Sequence, residues 1–134
     1  MSLGVGDANH LKTLLEHTTT LETLILYKNK LGVEGARILA QGLANNSSLK
    51  HLDLGHNRLR NKGLRALAEG IYGEGSKCKL EVLCLKNNFF TEKGFKSLVS
   101  PLLEICAPLS EKVLHLRSLH ISGNDVSLFE LKHL

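Results

Sequence analysis

An eleven-residue pattern that occurs four times limits the fold of this chain more than any other feature. Its form is L-x-x-L-x-L-x-x-N-x-L, and Ile121, Phe90 and Val126 replace leucine in some copies. The copies read LETLILYKNKL, LKHLDLGHNRL, LEVLCLKNNFF and LRSLHISGNDV, and they begin at Leu21, Leu49, Leu80 and Leu116. These leucines are 28, 31 and 36 residues apart. Repeats of this length are typical of a solenoid, in which similar units stack side by side.

Each copy of the pattern combines a strand with a helix that follows it. The alternation within L-x-L places the leucines on one face of a strand. A glycine then stands four residues beyond the last apolar residue, at Gly35, Gly63 and Gly94. It either lets helix and strand backbones approach closely or allows a positive φ at the helix start. The apolar residues that follow have the spacing of one helix face: Ala36, Leu39, Ala40 and Leu43; Leu64, Leu67, Ala68 and Ile71; Phe95, Leu98, Val99 and Leu102.

Stacked units of this kind predict an α/β solenoid with a parallel sheet. Because a helix is about 10 Å wide and strands lie about 4.8 Å apart, the stack should curve, with strands on its concave side and helices on its convex side. The asparagine of each copy comes at the turn, where a buried amide can bond backbone groups of its own unit and of its neighbour. A structural role, rather than a catalytic one, is therefore predicted for Asn29, Asn57, Asn88 and Asn124.

These motifs resemble those of leucine-rich-repeat proteins, and the helix-containing units are most similar to the ribonuclease-inhibitor-like class. That class includes the sensor domains of NOD-like receptors and the Ran GTPase-activating protein. The resemblance implies a curved horseshoe segment of about four repeats that binds other proteins. Residues 1–134 are expected to form a single leucine-rich-repeat domain. Since both ends of the chain fall inside a unit, we expect this domain to be a fragment of a longer array, the alternative being natural terminal repeats whose polar outer faces act as caps.

The residues between the leucines of each strand are expected to face solvent on the concave side. Among them, Tyr27, His51 and Lys86 are suitable hot-spot residues for a protein interface. We therefore predict a scaffolding or ligand-sensing module that binds a protein partner here. The predicted contact residues, called the concave face below, are Thr23, Ile25, Tyr27, Lys28, His51, Asp53, His56, Val82, Cys84, Lys86, Ser118 and His120.

One row of the concave face, Asp53, Cys84 and His120, raises the possibility of catalysis. A cysteine beside a histidine is what nucleophilic catalysis requires. However, the order of the three residues places Asp53 beside the cysteine rather than behind the histidine. An open sheet also offers no oxyanion hole and no pocket that excludes water. We therefore predict that the chain is not an enzyme and has no catalytic residues.

Neither a cofactor nor a metal ion is predicted. The chain has seven histidines, but none forms an H-x-x-x-H pair with a nearby carboxylate. The phosphate-binding sequence G-x-x-x-x-G-K-[ST] is also absent. The histidines are more simply explained as solvated or partly buried side chains.

The composition of the chain limits which classes of partner and which cellular compartment are expected. The net charge is +4, both signs are mixed along the chain, and only two Tyr and four Phe are present. A nucleic-acid partner is not expected, because a dense basic stripe and stacking aromatics are lacking. No apolar run reaches membrane-spanning length, so no membrane partner is expected either. The three Cys lack disulfide-like or metal-like spacing, which predicts reduced thiols in a cytoplasmic protein. The chain is expected to be monomeric in isolation.

Two alternatives stay open at the level of sequence. The resemblance also implies a GTPase-activating protein of the Ran-activator type, with Arg58 and Arg60 just beyond the asparagine turn. Separately, the connection from Leu102 to Leu116 is longer than its counterparts and contains Pro108. Insertions in repeat proteins often build binding loops, although long loops are also simply tolerated.

Overall fold

Helices and strands alternate along the chain, as the repeats predict. A computed structural model describes residues 3–105 and 114–126. Its elements are α1 (Val5–His17), β1 (Thr23–Ile25), α2 (Gly32–Ala44), β2 (His51–Asp53), α3 (Arg60–Tyr72), β3 (Val82–Cys84), α4 (Glu92–Ile105) and β4 (Ser118–His120). The predicted α/β solenoid of about four repeats is confirmed. Most of the insertion between Leu102 and Leu116 falls on residues 106–113, outside the described residues.

The strands form one parallel sheet in the order β1-β2-β3-β4. Their central leucines face the core: Leu52 and Leu83 are fully buried, and Leu24 and Leu119 on the outer strands are half-buried. The predicted rows across the strands are confirmed by the register. One row is Thr23, His51, Val82 and Ser118, and the next is Ile25, Asp53, Cys84 and His120.

The helices pack side by side in chain order, each against the next. The eight predicted apolar positions on α2 and α3 are all buried. On α4, Leu98 is buried, whereas Phe95, Val99 and Leu102 are half-buried. Within the described ranges, no helix combines the length and the apolar character needed to cross a membrane.

The glycines near the helix starts serve close packing, since none of them has a positive φ. A Cβ on Gly94 would lie 2.6 Å from Asn61 Oδ1 and 2.9 Å from Asn61 Cα. A Cβ on Gly63 would lie 3.0 Å from Leu59 Cβ and 3.5 Å from Ala36 Cβ. The close neighbour is therefore the start of the preceding helix or the leucine before the helix, rather than the strand backbone.

A second set of glycines, which the sequence analysis missed, lies where neighbouring helices touch. A Cβ on Gly70 would lie 2.5 Å from the Ala40 carbonyl oxygen, and one on Gly42 would lie 3.0 Å from Lys12 Cα. Both glycines stand eleven residues after the last leucine of their motif, in A-Q-G-L and A-E-G-I. This repeated spacing was a usable signal for helix–helix contact.

The asparagine side chains form a ladder that links consecutive turns. The Oδ1 of Asn88 accepts hydrogen bonds from the N–H groups of Asn57 and Leu59, at 2.9 and 3.3 Å. Its Nδ2 donates to the carbonyls of Leu54 and Lys86, at 2.9 and 3.1 Å. In all four motifs Oδ1 accepts from a backbone N–H that lies 26 to 36 residues nearer the N-terminus. The predicted structural role is confirmed for Asn29, Asn57, Asn88 and Asn124.

The turns on either side of this ladder use left-handed backbone at residues other than glycine. Before the asparagine, φ is +57° at Lys28, +54° at His56 and +55° at Asn87. After it, φ is +58° at Arg58 and +61° at Phe89. This conformation costs roughly 1–2 kcal/mol for a residue with a Cβ. Hydrogen bonds between neighbouring turns offset that cost: the N–H of Lys28 donates to the carbonyl of Gly55, and that of His56 to the carbonyl of Lys86, each at 2.9 Å.

Candidate protein-binding site

No residue of the predicted concave face belongs to the buried core. The exposed residues are Thr23, Ile25, Tyr27, Lys28, Lys86 and His120, and the half-buried ones are His51, Asp53, His56, Val82, Cys84 and Ser118. The parallel register brings them onto one surface, because each strand offers the same alternate positions to solvent. Their role in binding stays a prediction.

Two apolar side chains stand out at the β1 end of this face. Ile25 is 64% exposed and Tyr27 is 44% exposed. The Tyr27 ring lies over Gly55, where an added Cβ would come within 2.8 Å of the ring carbon Cδ2. The edge of the His56 ring supports it from the next turn, with 5.0 Å between centroids, and Lys28 Nζ lies 5.5 Å from the Tyr27 centroid. Tyr27 is therefore held in place while one side of its ring stays open to a partner.

The row of Asp53, Cys84 and His120 has the wrong electrostatics for a nucleophile. Burial raises the pKa of the Cys84 thiol, and the nearby Asp53 carboxylate raises it further. A higher pKa leaves less thiolate at neutral pH, which is the opposite of what a reactive cysteine needs. His120 Nε2 lies 3.0 Å from the Ser118 hydroxyl. Among the described residues, no group of three or more His, Cys, Asp or Glu could hold a metal ion.

A second candidate site lies at the carboxyl ends of the strands, beside the concave face. It is a cleft of about 420 Å³ that spans three consecutive asparagine turns and reaches Gly123 in the fourth. We call it the strand-exit cleft and define it by Lys28, Lys30, His56, Arg58 and Phe89. Asn87 Nδ2 lies 2.9 Å from His56 Nε2 across the floor of this cleft. The guanidinium carbon of Arg60 lies 5.9 Å from the Phe89 ring centroid at its rim.

Among the described residues, the positive charge of the strand-exit cleft is not balanced by carboxylates. Within residues 3–105 and 114–126, no carboxylate lies within 4.0 Å of Lys28, Lys30, Arg58 or Arg60. The ion pairs within these two ranges all lie outside the cleft, at Lys12–Glu16, Arg37–Glu34, Lys50–Glu22, Arg65–Glu69 and Arg117–Glu81. The cleft thus brings several cations together without a carboxylate partner among these residues.

Sequence reasoning found only part of this cleft. Lys28 and His56 were assigned to the concave face, and Arg58 and Arg60 were noted beyond the turn. Lys30 and Phe89 were missed, although both occupy the position between the asparagine and the last apolar residue of the motif. That position lies outside the strand alternation, so the direction of its side chain depends on the left-handed turn. Asn46 and Asn61, which bond across repeats, were also missed.

Comparison with protein families agrees with this architecture. The family model described as Leucine Rich repeat matches residues 17–40, 45–68 and 114–127. Those segments contain β1, β2 and β4 and reach into α2 and α3. No curated protein matches the chain. The family matches, the parallel sheet with its central leucines and the asparagine ladder agree with one another, and we conclude that this chain contains leucine-rich repeats and folds as a leucine-rich-repeat solenoid.

Proposed function

We propose that the chain is a protein-interaction module that binds a protein partner through its concave face. The observation that carries this proposal is the exposed pair of Ile25 and Tyr27 at the end of β1, where Asn29 Nδ2 donates to the carbonyls of Leu26 and Tyr27. Tyrosine is among the residues that dominate binding energy at protein interfaces. A rigid surface also loses little conformational entropy when it binds.

We infer a finer assignment to the ribonuclease-inhibitor-like class, with ligand sensing of the NOD-like-receptor kind. The four helices of the described residues, each of 13 or 14 residues, support it. A monomer in the cytoplasm, with neither nucleic acid nor membrane as partner, stays a prediction. Fluorescence microscopy of the tagged chain would test the location, and sedimentation would test the oligomeric state.

The proposal is tested by affinity capture followed by a purified binding assay. Immobilised parent chain is compared with a concave-face variant carrying Tyr27→Ala, His51→Ala and Lys86→Ala. A control variant carries Arg65→Ala and Glu69→Ala, which are exposed on α3. Each retained protein is then purified and titrated against all three forms by calorimetry. We expect the concave-face variant to bind about tenfold or more weakly, as loss of hot-spot side chains does.

The outcomes separate the concave face from the rest of the surface. Equal affinity of the parent and the concave-face variant would exclude this face as the site. Equal loss in both variants would indicate a general defect, which circular dichroism of each form would reveal. The alternative activity, GTPase activation of the Ran-activator type, predicts faster GTP hydrolysis by Ran and a loss of that effect in Arg58→Ala.

A further inference from the structure

We propose that the strand-exit cleft binds an acidic segment of a protein partner, one that carries an apolar side chain beside its carboxylates. This inference rests on the proposed function and adds a second, chemically defined contact to it. The cleft shares Lys28 and His56 with the concave face, and the His56 ring packs edge-on against the Tyr27 ring. One partner could therefore contact both surfaces.

Charge gives the first reason for an acidic ligand. Lys28, Lys30, Arg58 and Arg60 converge at the cleft, and no described carboxylate pairs with them. Cations that are close together repel one another, and a ligand with carboxylates relieves this repulsion. Complementary charge of this kind also speeds association and fixes the orientation of the partner.

Phe89 gives the second reason, because it requires an apolar component in the ligand. Its side chain is 68% exposed, and its φ of +61° is unfavourable for a bulky residue. Hydrogen bonds on both sides hold the turn in this form: Asn87 N–H donates to Ser122, and Phe90 N–H donates to Asn124 Oδ1. Strained backbone of this kind is often found at binding sites. The ring forms an apolar wall beside the cations, with the Arg60 guanidinium over it.

The arrangement fits a peptide better than a polynucleotide. The motif position after each asparagine holds Lys30, Arg58, Phe89 and then Asp125, so an acidic residue ends the row. A phosphodiester backbone that continued along the row would meet this negative charge. Among the described residues, Phe89 is also the one Phe, Tyr or Trp side chain that lines the cleft, whereas single-stranded nucleic acids usually stack on several such rings. A short acidic segment has to contact only the three turns that carry Lys30, Arg58 and Phe89.

The test uses fluorescence anisotropy with defined probes. The main probe is a fluorescein-labelled peptide rich in Asp and Glu with a central Phe-Leu pair. A neutral probe replaces Asp and Glu with Asn and Gln, and a third replaces Phe-Leu with Ala-Ala. A single-stranded oligonucleotide of matched length is the fourth. We expect saturable binding of the acidic Phe-Leu peptide, about tenfold weaker binding of the neutral peptide and weaker binding at high salt.

Matched charge reversals locate the site. Lys30→Glu with Arg58→Glu removes the cleft's charge, and Lys77→Glu with Lys79→Glu makes the same net change at the amino end of β3. We expect the cleft variant to bind the acidic peptide about tenfold more weakly, and the control to stay within about twofold of the parent. Phe89→Ala should weaken the Phe-Leu peptide by severalfold and leave the Ala-Ala peptide unchanged.

Several results would overturn the proposal. One is equal weakening by the two charge reversals, which would indicate non-specific attraction. Another is tighter binding of the oligonucleotide than of the acidic peptide, and a third is the absence of saturable binding by the parent. The concave-face variant Ile25→Ser should bind the peptide like the parent. If the acidic peptide does not bind while the binding of captured partners still depends on Tyr27, His51 and Lys86, this inference is wrong and the proposed function stands.

Discussion

The inner asparagines Asn57 and Asn88 occupy the same motif position as the outer asparagines Asn29 and Asn124, yet their surroundings differ. The two inner residues are completely buried, whereas the two outer ones are half-buried. An inner asparagine has a described turn packed on each side. The comparison teaches that the contribution of a motif residue depends on its neighbouring repeats, as expected when each repeat contacts only those next to it.

The largest expected effect is at the inner part of the ladder. Asn88→Ala would leave the buried N–H groups of Asn57 and Leu59 without their side-chain acceptor. Because each unsatisfied buried group costs about 1–3 kcal/mol, we expect the free energy of unfolding to fall by about 3–5 kcal/mol. Urea denaturation followed by circular dichroism measures it. Asn45→Ala, which removes an exposed bond to Gln41, is the control and should change stability far less.

The glycines at the helix contacts allow a similar comparison of one motif position in two repeats, and the expected change in stability is smaller. Gly70→Ala places a Cβ against the Ala40 carbonyl, and we expect a loss of about 1–3 kcal/mol from overpacking. Gly42→Ala meets looser neighbours on α1. There the gain in helix propensity, about 1 kcal/mol, should offset the strain. Thermal unfolding of both variants would contradict this view if Gly42→Ala were the more damaging.

An outer asparagine should matter less than an inner one. Asn29→Ala removes the acceptor of the half-buried Leu3 N–H, and water can replace part of this contact. We expect a loss of about 1 kcal/mol, measured in the same urea titration as Asn88→Ala. Equal losses for the two substitutions would mean that burial on both sides of an asparagine has no influence on its contribution.

The smallest change in stability is expected at the first residues of α2 and α3. Gly32 and Arg60 have φ of +64° and +60°, and only arginine pays a steric penalty there. Arg60→Gly should therefore raise the free energy of unfolding by about 0.5–1 kcal/mol, part of the roughly 1–2 kcal/mol left-handed penalty being offset by glycine's greater chain entropy. Gly32→Ala should lower it. A loss of stability in Arg60→Gly would show that the contact between Arg60 and Phe89 outweighs the strain.

Much of the fold was predictable because periodicity records burial directly. The leucines of each strand and the apolar positions of α2 and α3 follow fixed spacings, and the register of the rows follows from aligning the motifs. The asparagine ladder was also predictable, because a polar residue at a buried turn needs hydrogen-bond partners. These features depend on chemistry that repeats in every unit.

The strand-exit cleft was harder to predict because it depends on what does not repeat. Lys30, Arg58 and Phe89 share one motif position but have different side chains. Their direction follows from a left-handed turn at residues that rarely adopt one, with φ of +58° at Arg58 and +61° at Phe89. Only Gly32 and Gly123, which have positive φ in the corresponding region of other repeats, hinted at it.

The asparagine ladder also has a consequence for the order in which the repeats are completed during synthesis. Each asparagine reaches back to a turn made earlier, so the N–H groups of one repeat receive their acceptor from the next. Asn57 N–H pairs with Asn88, which lies 31 residues later. At a synthesis rate of roughly 5–20 residues per second, a ribosome would need about 2–6 seconds to supply it. A newly made repeat would thus wait, with its turn incomplete, for the repeat that follows it.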